Sequence, residues 1–181
     1  ISDEPGGAAY YYQDRINLDV ADYEFNLRGT TSWLRNVTTH EFVHLVSMQK
    51  SMKFPKSIPS FYLQFINFER ERRPDVITGY PNYEIYIPIA GTVMPNWFAE
   101  GMAQFQTDKT RSDIWDSHRD MILRTAAIEG TLLSMDEMKV FGKNSLNAEL
   151  LYNQGFSMTR FIAEEYGRDR IRELAVALSR A

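Results

Sequence analysis

The chain has 181 residues, three histidines, no cysteine and a formal net charge of −4. The absence of cysteine excludes disulfides, thiol catalysis and cysteine-ligated metal sites, and the acidic balance argues against nucleic acid as a partner. No stretch reaches the roughly 18 apolar residues of a membrane span. Because the chain begins at Ile1 and not at Met, we expect a processed protein or a fragment of a larger one.

The predicted elements are mostly helices. Early glycines and a proline predict an irregular start, partial alternation predicts strands, and apolar residues at helical spacing predict the rest. In chain order we expect irregular structure over 1–12, one or two strands within 16–27, a helix over 32–50, a helix over 60–72, a strand over 83–87, helices over 95–107 and 112–128, a short helix from Ser134, and helices over 146–166 and 168–180. These elements predict an α+β fold that is mainly α-helical.

The strongest motif is HEFVH at residues 40–44. Residues four apart on a helix share one face, so the imidazoles of His40 and His44 can both reach one ion. Glu41 is offset around the helix axis, where it can accept a proton from a metal-activated water. The pattern is typical of zinc hydrolases when it falls on a helix. The plainer alternative is two half-buried histidines on an apolar helix face.

A zinc hydrolase needs a third protein ligand beside an open position. Glu100 lies on a helix rich in apolar residues, where a carboxylate needs a partner such as a cation; considered alone, it also fits a surface glutamate. The remaining histidine, His118, is an alternative ligand, although it lies in a polar helix. Glu69, Glu71 and Glu84 are further alternatives by composition, but they lie in charged or strand contexts.

HEFVH followed by WFAEG at 97–101 resembles the gluzincin metallopeptidases of the peptidase MA-like superfamily. Their aminopeptidase N and leukotriene-hydrolase branch carries its third ligand in N-E-G, which residues 99–101 match with one change. The resemblance implies that Zn²⁺ is bound by His40, His44 and Glu100, with Glu41 as the general base. It also implies a zincin-like catalytic domain over 31–181, after an extended segment over 1–30 and with a small, incomplete sheet before the zinc helix.

A second motif extends the resemblance to the C-terminal part of the chain. The sequence YNQG at 152–155 stands where that branch carries Y-x-K-G, which implies that the Tyr152 hydroxyl stabilises the oxyanion; Gln154 replaces the usual lysine. The G-A-M-E-N exopeptidase motif is absent from the sequence. The spacer between His44 and Glu100 has 55 residues, against about 18 in the aminopeptidases.

The long spacer and the segment at 28–50 are more similar to exported bacterial proteins that join such a domain to a TolB-like β-propeller. This narrower resemblance implies an exported parent protein with a propeller as an additional domain. The function that we expect is zinc-dependent hydrolysis of peptide bonds in a peptide or protein substrate. The alternatives are an inactive zinc-binding or scaffold domain that supports the propeller, and a zinc hydrolase acting on a non-peptide bond.

Overall fold

The computed structural model describes residues 6–19, 33–54, 61–66, 82–87, 91–115, 117–140 and 145–180, with the backbone alone for the strands at 61–66 and 82–87. Five α-helices and four strands are formed by these residues. The helices are α1 (Trp33–Ser51), α2 (Asn96–Lys109), α3 (Ser117–Glu129), α4 (Ser145–Tyr166) and α5 (Asp169–Ala177). The strands are β1 (Gly6–Tyr10), β2 (Arg15–Asp19), β3 (Phe61–Ile66) and β4 (Asn82–Ile87). The prediction of a mainly helical α+β fold is therefore confirmed.

The strands form two separate antiparallel pairs, β1 with β2 and β3 with β4. The β1–β2 hairpin precedes α1 and packs against it. Helix α2 packs against both α1 and α4, and α5 packs against the same two helices. Two buried apolar clusters lie along α2, one around Phe98 and Met102 and the other where Phe105 meets Phe156 of α4.

The helical predictions over 32–50, 95–107, 146–166 and 168–180 are confirmed by α1, α2, α4 and α5, the last of which continues as a 3₁₀ turn, Leu178–Arg180. The short helix after Ser134 is a 3₁₀ turn, Glu137–Lys139. It begins with a capping box, in which Glu137 Oε2 accepts from Ser134 N at 2.8 Å and Ser134 Oγ accepts from Glu137 N at 3.3 Å.

Helix α3 begins at Ser117, so the start that we predicted at 112 is wrong. Asp113 is buried and accepts hydrogen bonds from Gln104 Nε2 at 2.5 Å, from Arg119 Nη1 at 2.8 Å and from Ile114 N at 2.8 Å. Because the Asp113 carboxylate bonds to the backbone directly after it, the chain bends here and does not yet form a helix.

Two predictions of secondary structure in the N-terminal half of the chain are also wrong. The expected helix over 60–72 is a strand over Phe61–Ile66, which pairs in register with β4 from Phe61 opposite Ile87 to Ile66 opposite Asn82. Its aromatic and branched residues suit a strand once a partner is present. The expected irregular start over 1–12 contains β1, which pairs with β2 from Gly6 opposite Asp19 to Tyr10 opposite Arg15.

Several expectations lie outside the described residues, namely the continuation of the N-terminal strands from 20 to 27 and the alternative ligands Glu69 and Glu71. None of the described helices combines the length and the apolarity that crossing a membrane requires.

Candidate metal centre

Helices α1 and α2 bring the three predicted ligands together. His40 and His44 lie one turn apart on α1, and Glu100 lies in the first part of α2. Glu100 and His44 are buried, with 7% and 9% of their surface exposed, and His40 is partly buried. Within the part of the chain that the structure describes, these three residues are the one group of histidine and acidic side chains close enough to hold a metal ion.

The three ligand atoms form a nearly equilateral triangle. Nε2 of His40 lies 2.9 Å from Glu100 Oε2, Nε2 of His44 lies 3.1 Å from the same oxygen, and the two nitrogens are 3.0 Å apart. Tetrahedral zinc with bonds of about 2.0–2.1 Å separates its ligand atoms by roughly 3.3 Å, so the triangle is only slightly tighter than such a site requires.

The chemistry of the three donors also fits a cation. If both imidazoles were neutral and directed N–H groups at the one carboxylate oxygen, their hydrogens would be crowded to roughly 2 Å from each other, because the nitrogens are only 3.0 Å apart. If both nitrogens are unprotonated, three lone pairs face one point and need a positive charge there. Residues His40, His44 and Glu100 could therefore hold a metal ion, and two imidazoles with one carboxylate are a donor set that zinc accepts.

The pKa values of the cluster favour an ionised Glu100 with positive charge on the histidines beside it. Burial raises the pKa of Glu100, but hydrogen bonds from His40 and His44 and the charges of both rings outweigh burial and lower it to about 2. Burial lowers the pKa of His44, but its hydrogen bond to the Glu100 carboxylate and the charges of Glu100 and Glu41 raise it above its usual value. A buried carboxylate is thus kept ionised beside the histidines, where a proton and a metal ion compete for the same nitrogens.

Glu41 lies beside this cluster and is itself buried, with 7% of its surface exposed. Its charge contributes to the raised pKa of His44, although its side chain is not among the three atoms that converge. Strand β1 packs closely against the Glu41 side chain. A Cβ atom added to Gly7 of this strand would lie only 2.9 Å from Glu41 Oε1. Glu41 therefore influences the cluster electrostatically and is not one of its three converging atoms.

Tyr152 is brought to the cluster by α4. Its ring centroid lies 6.1 Å from that of His40, and it is partly buried. The approach of α4 to α2 depends on Gly101 and Gly155, where an added Cβ would lie 2.2 Å from Gly155 O and 2.3 Å from Trp97 O, respectively. The motif glycine after Glu100 and the motif glycine three residues after Tyr152 therefore meet at one helix crossing.

Gln154 stands in place of the lysine of the Y-x-K-G motif and has a structural role here. Its Oε1 accepts from Leu133 N at 2.8 Å, and its Nε2 donates to Leu133 O at 3.0 Å. This two-point contact holds the chain between α3 and α4 against α4. An amide provides both a donor and an acceptor, whereas a lysine provides only donors.

Of the alternative ligands, His118 is the one whose side chain the structure describes, and it does not join the cluster. His118 is exposed on α3 and belongs to no group of potential metal ligands among the described residues. Glu84 is in β4, of which the backbone alone is described. Sequence reasoning missed Gly7 as a residue next to Glu41, because no local pattern reports that a glycine in a strand contacts a distant helix.

The structure explains the long spacer between the ligands. After α1 the chain leaves at Lys53 and returns at Gly91, where Lys53 N donates to Gly91 O at 3.3 Å. A second hydrogen bond joins the same two segments nearer to the helices, between Ser51 Oγ, at the end of α1, and Thr92 Oγ1, at 2.6 Å. Residues 45–53 and 91–99, nine on each side, therefore suffice to link His44 with Glu100, and 54–90 is an excursion between two adjacent points. The connection without the excursion has 18 residues, nine on each side, which agrees with the spacing of about 18 in the aminopeptidases that the motifs resemble.

Replacing residues 54–90 with a two-residue Asn-Gly turn should preserve metal binding, because the turn joins two points that are already hydrogen-bonded. We expect the shortened chain to bind one zinc ion with an affinity close to that of the full chain, measured by competition with a chromophoric chelator. The same deletion combined with His44→Ala is the control without metal. If the shortened chain kept its helical circular dichroism but no longer bound zinc, a direct connection from Lys53 to Gly91 would not be enough to place the three ligands.

Comparisons of the chain with protein-family models, with curated proteins and with solved structures found no match. The motif residues and their arrangement are therefore the observations that bear on function.

Proposed function

We propose that this chain is a zinc-dependent metallopeptidase domain of the gluzincin type, which hydrolyses peptide bonds. The observation that supports it most is the convergence of His40 Nε2, His44 Nε2 and Glu100 Oε2 within 3.1 Å of one another. Two further observations favour hydrolysis over metal storage, because Glu41 is buried beside the cluster and Tyr152 lies next to His40. Metal binding alone requires neither residue.

Each of these residues has a distinct role in the proposed reaction. A zinc ion, when bound by His40, His44 and Glu100, would supply a Lewis acid that activates water and polarises a carbonyl. Glu41 accepts the proton of the attacking water and then transfers it to the leaving amine. Tyr152 donates a hydrogen bond from its hydroxyl to the oxyanion that develops on the peptide carbonyl.

Access to the site is proposed from the side of His40. The His40 side chain keeps 14% of its surface exposed, against 9% for Glu100 and 11% for His44. A substrate carbonyl that arrives from this side meets His40 and Tyr152 first.

The export of the parent protein and its β-propeller stay predictions of the family resemblance.

The Glu41→Gln variant tests the proposal. Glutamine has nearly the same shape as glutamate but accepts no proton, so cleavage should fall about 10²- to 10⁴-fold. Zinc content should stay at one ion per chain, because Glu41 is not a ligand. Cleavage of a peptide library and elemental analysis are measured on the same samples, with Glu164→Gln, an exposed change on α4, as the matched control.

Two outcomes would contradict the proposal. If Glu41→Gln cleaved peptides at the wild-type rate, Glu41 would not be the base and the cleavage would have another origin. If the zinc-loaded wild type cleaved no peptide in the library, an inactive zinc-binding or scaffold domain would become the better interpretation.

A further inference from the structure

We propose that Gly7 is a positioning residue for Glu41, an inference that rests on the proposed role of Glu41 as the general base. A Cβ on Gly7 would lie 2.8 Å from Glu41 Cγ, 2.9 Å from Glu41 Oε1 and 2.5 Å from Val37 Cγ2. Carbon atoms in favourable contact lie about 3.5–4.0 Å apart. Only a residue without a Cβ therefore lets β1 approach α1 this closely.

Backbone conformation does not explain this glycine. Among the glycines that the structure describes, positive φ angles occur at Gly130 and Gly167, so the backbone at Gly7 is open to any residue. Gly7 pairs with Leu18 in regular antiparallel register. At Gly6, the neighbouring residue in the same strand, no atom of the described chain lies within 4 Å of an ideal Cβ. A side chain at Gly7 would therefore lack space beside Glu41, whereas a side chain at Gly6 would not.

The hairpin that carries Gly7 is also held on α1 at its other end. Gln49, two helical turns beyond Glu41, donates from Nε2 to Tyr11 O at 2.7 Å and to Asp14 Oδ1 at 2.5 Å. Both of these acceptors lie in the turn between β1 and β2. A methyl group at Gly7 can therefore displace β1 only by straining these bonds, and the easier response is a movement of the Val37 and Glu41 side chains that it would contact.

Such a movement affects a general base more than it affects a metal site. A base must keep its carboxylate within hydrogen-bonding reach of the proton that it accepts, and a misplacement of 1 Å can cost about 10²-fold in rate. The three closest contacts of a Cβ at Gly7 are with Val37 and Glu41, and Glu41 is not one of the three predicted metal ligands. We therefore expect a loss of kcat with little change in KM or in the dissociation constant for zinc.

The first experiment compares Gly7→Ala with Gly6→Ala in the zinc-loaded chain. Gly7→Ala should lower kcat roughly 10- to 100-fold at unchanged zinc affinity, and Gly6→Ala should match the wild type in both. Equal kcat values for the two variants would overturn the positioning role. Loss of zinc together with activity in Gly7→Ala would overturn it as well, because the strand would then be supporting the metal site in general.

The second experiment measures the contact without any catalytic activity. Glu41→Ala removes the Cγ and the carboxylate that the new methyl group would meet. With Val37→Ala present throughout to remove the other contact, Gly7→Ala should lower the urea midpoint of unfolding less when Glu41 is alanine than when it is glutamate. Equal shifts in both backgrounds would show that Gly7 does not act on Glu41. If the wild type had no peptidase activity, the proposed function would be wrong. The comparison of urea midpoints would still show whether Gly7 contacts Glu41.

Discussion

Replacing His44 by alanine should remove zinc binding, whereas replacing His118 by alanine should leave it unchanged. His44 Nε2 is one of three atoms that face a common point, and His118 is exposed on a different helix. Loss of a hydrogen-bond partner of a metal ligand typically costs about 10- to 100-fold in affinity, and loss of a ligand should cost more. Competition with a chromophoric chelator measures both affinities, and the two variants remove the same type of residue.

The loss of zinc binding in His44→Ala should also remove the increase in melting temperature that zinc gives the wild type. A ligand present at 100 times its dissociation constant stabilises a protein by about 2.7 kcal/mol, which corresponds to roughly 5–10 °C in the melting temperature at this chain length. His118→Ala should keep this shift, and His44→Ala and Glu100→Gln should lose it. If His118→Ala lost the shift and Glu100→Gln kept it, the assignment of the third ligand would be wrong.

The sequence predicted the parts of the site that depend on local geometry. Two residues four apart on a helix must share a face, so the pairing of His40 with His44 required only that 32–50 be helical. The helix that carries Glu100 followed in the same way from its apolar spacing and from Pro95 at its start. The meeting of these two helices was predicted from motif resemblance, because no local pattern reports which helices pack together.

The errors arose where distant residues decide the structure. The apolar residues at 61–66 fit a helix and a strand equally well, and pairing with 82–87 determined that they form a strand. Gly6 and Gly7 indicated irregular structure, but one of them is needed for close approach of β1 to Glu41. The 55-residue spacer is longer than that of the aminopeptidases, and no local pattern reports the hydrogen bond that joins Lys53 to Gly91, 38 positions along the chain.

Gly155→Ala should destabilise the protein by at least about 3 kcal/mol, which is the upper part of the range for overpacked cores. In an isolated helix this change would instead stabilise by about 1 kcal/mol, because glycine is a poor helix former. The sign reverses here because the new Cβ would lie 2.3 Å from Trp97 O. That oxygen belongs to the backbone of α2, so the contact can be relieved only by moving one helix relative to the other.

A matched control separates this steric cost from the loss of glycine itself. At Gly130 no atom of the described chain lies within 4 Å of an ideal Cβ, but φ is +69°, so Gly130→Ala should cost only the about 1–2 kcal/mol of a left-handed backbone. Urea unfolding of both variants gives the comparison. A cost for Gly155→Ala no greater than that for Gly130→Ala would mean that α2 and α4 can separate freely. Since Glu100 directly precedes Gly101 and Tyr152 lies less than one turn before Gly155, the distance between the proposed ligand and the proposed oxyanion donor would then have no fixed value.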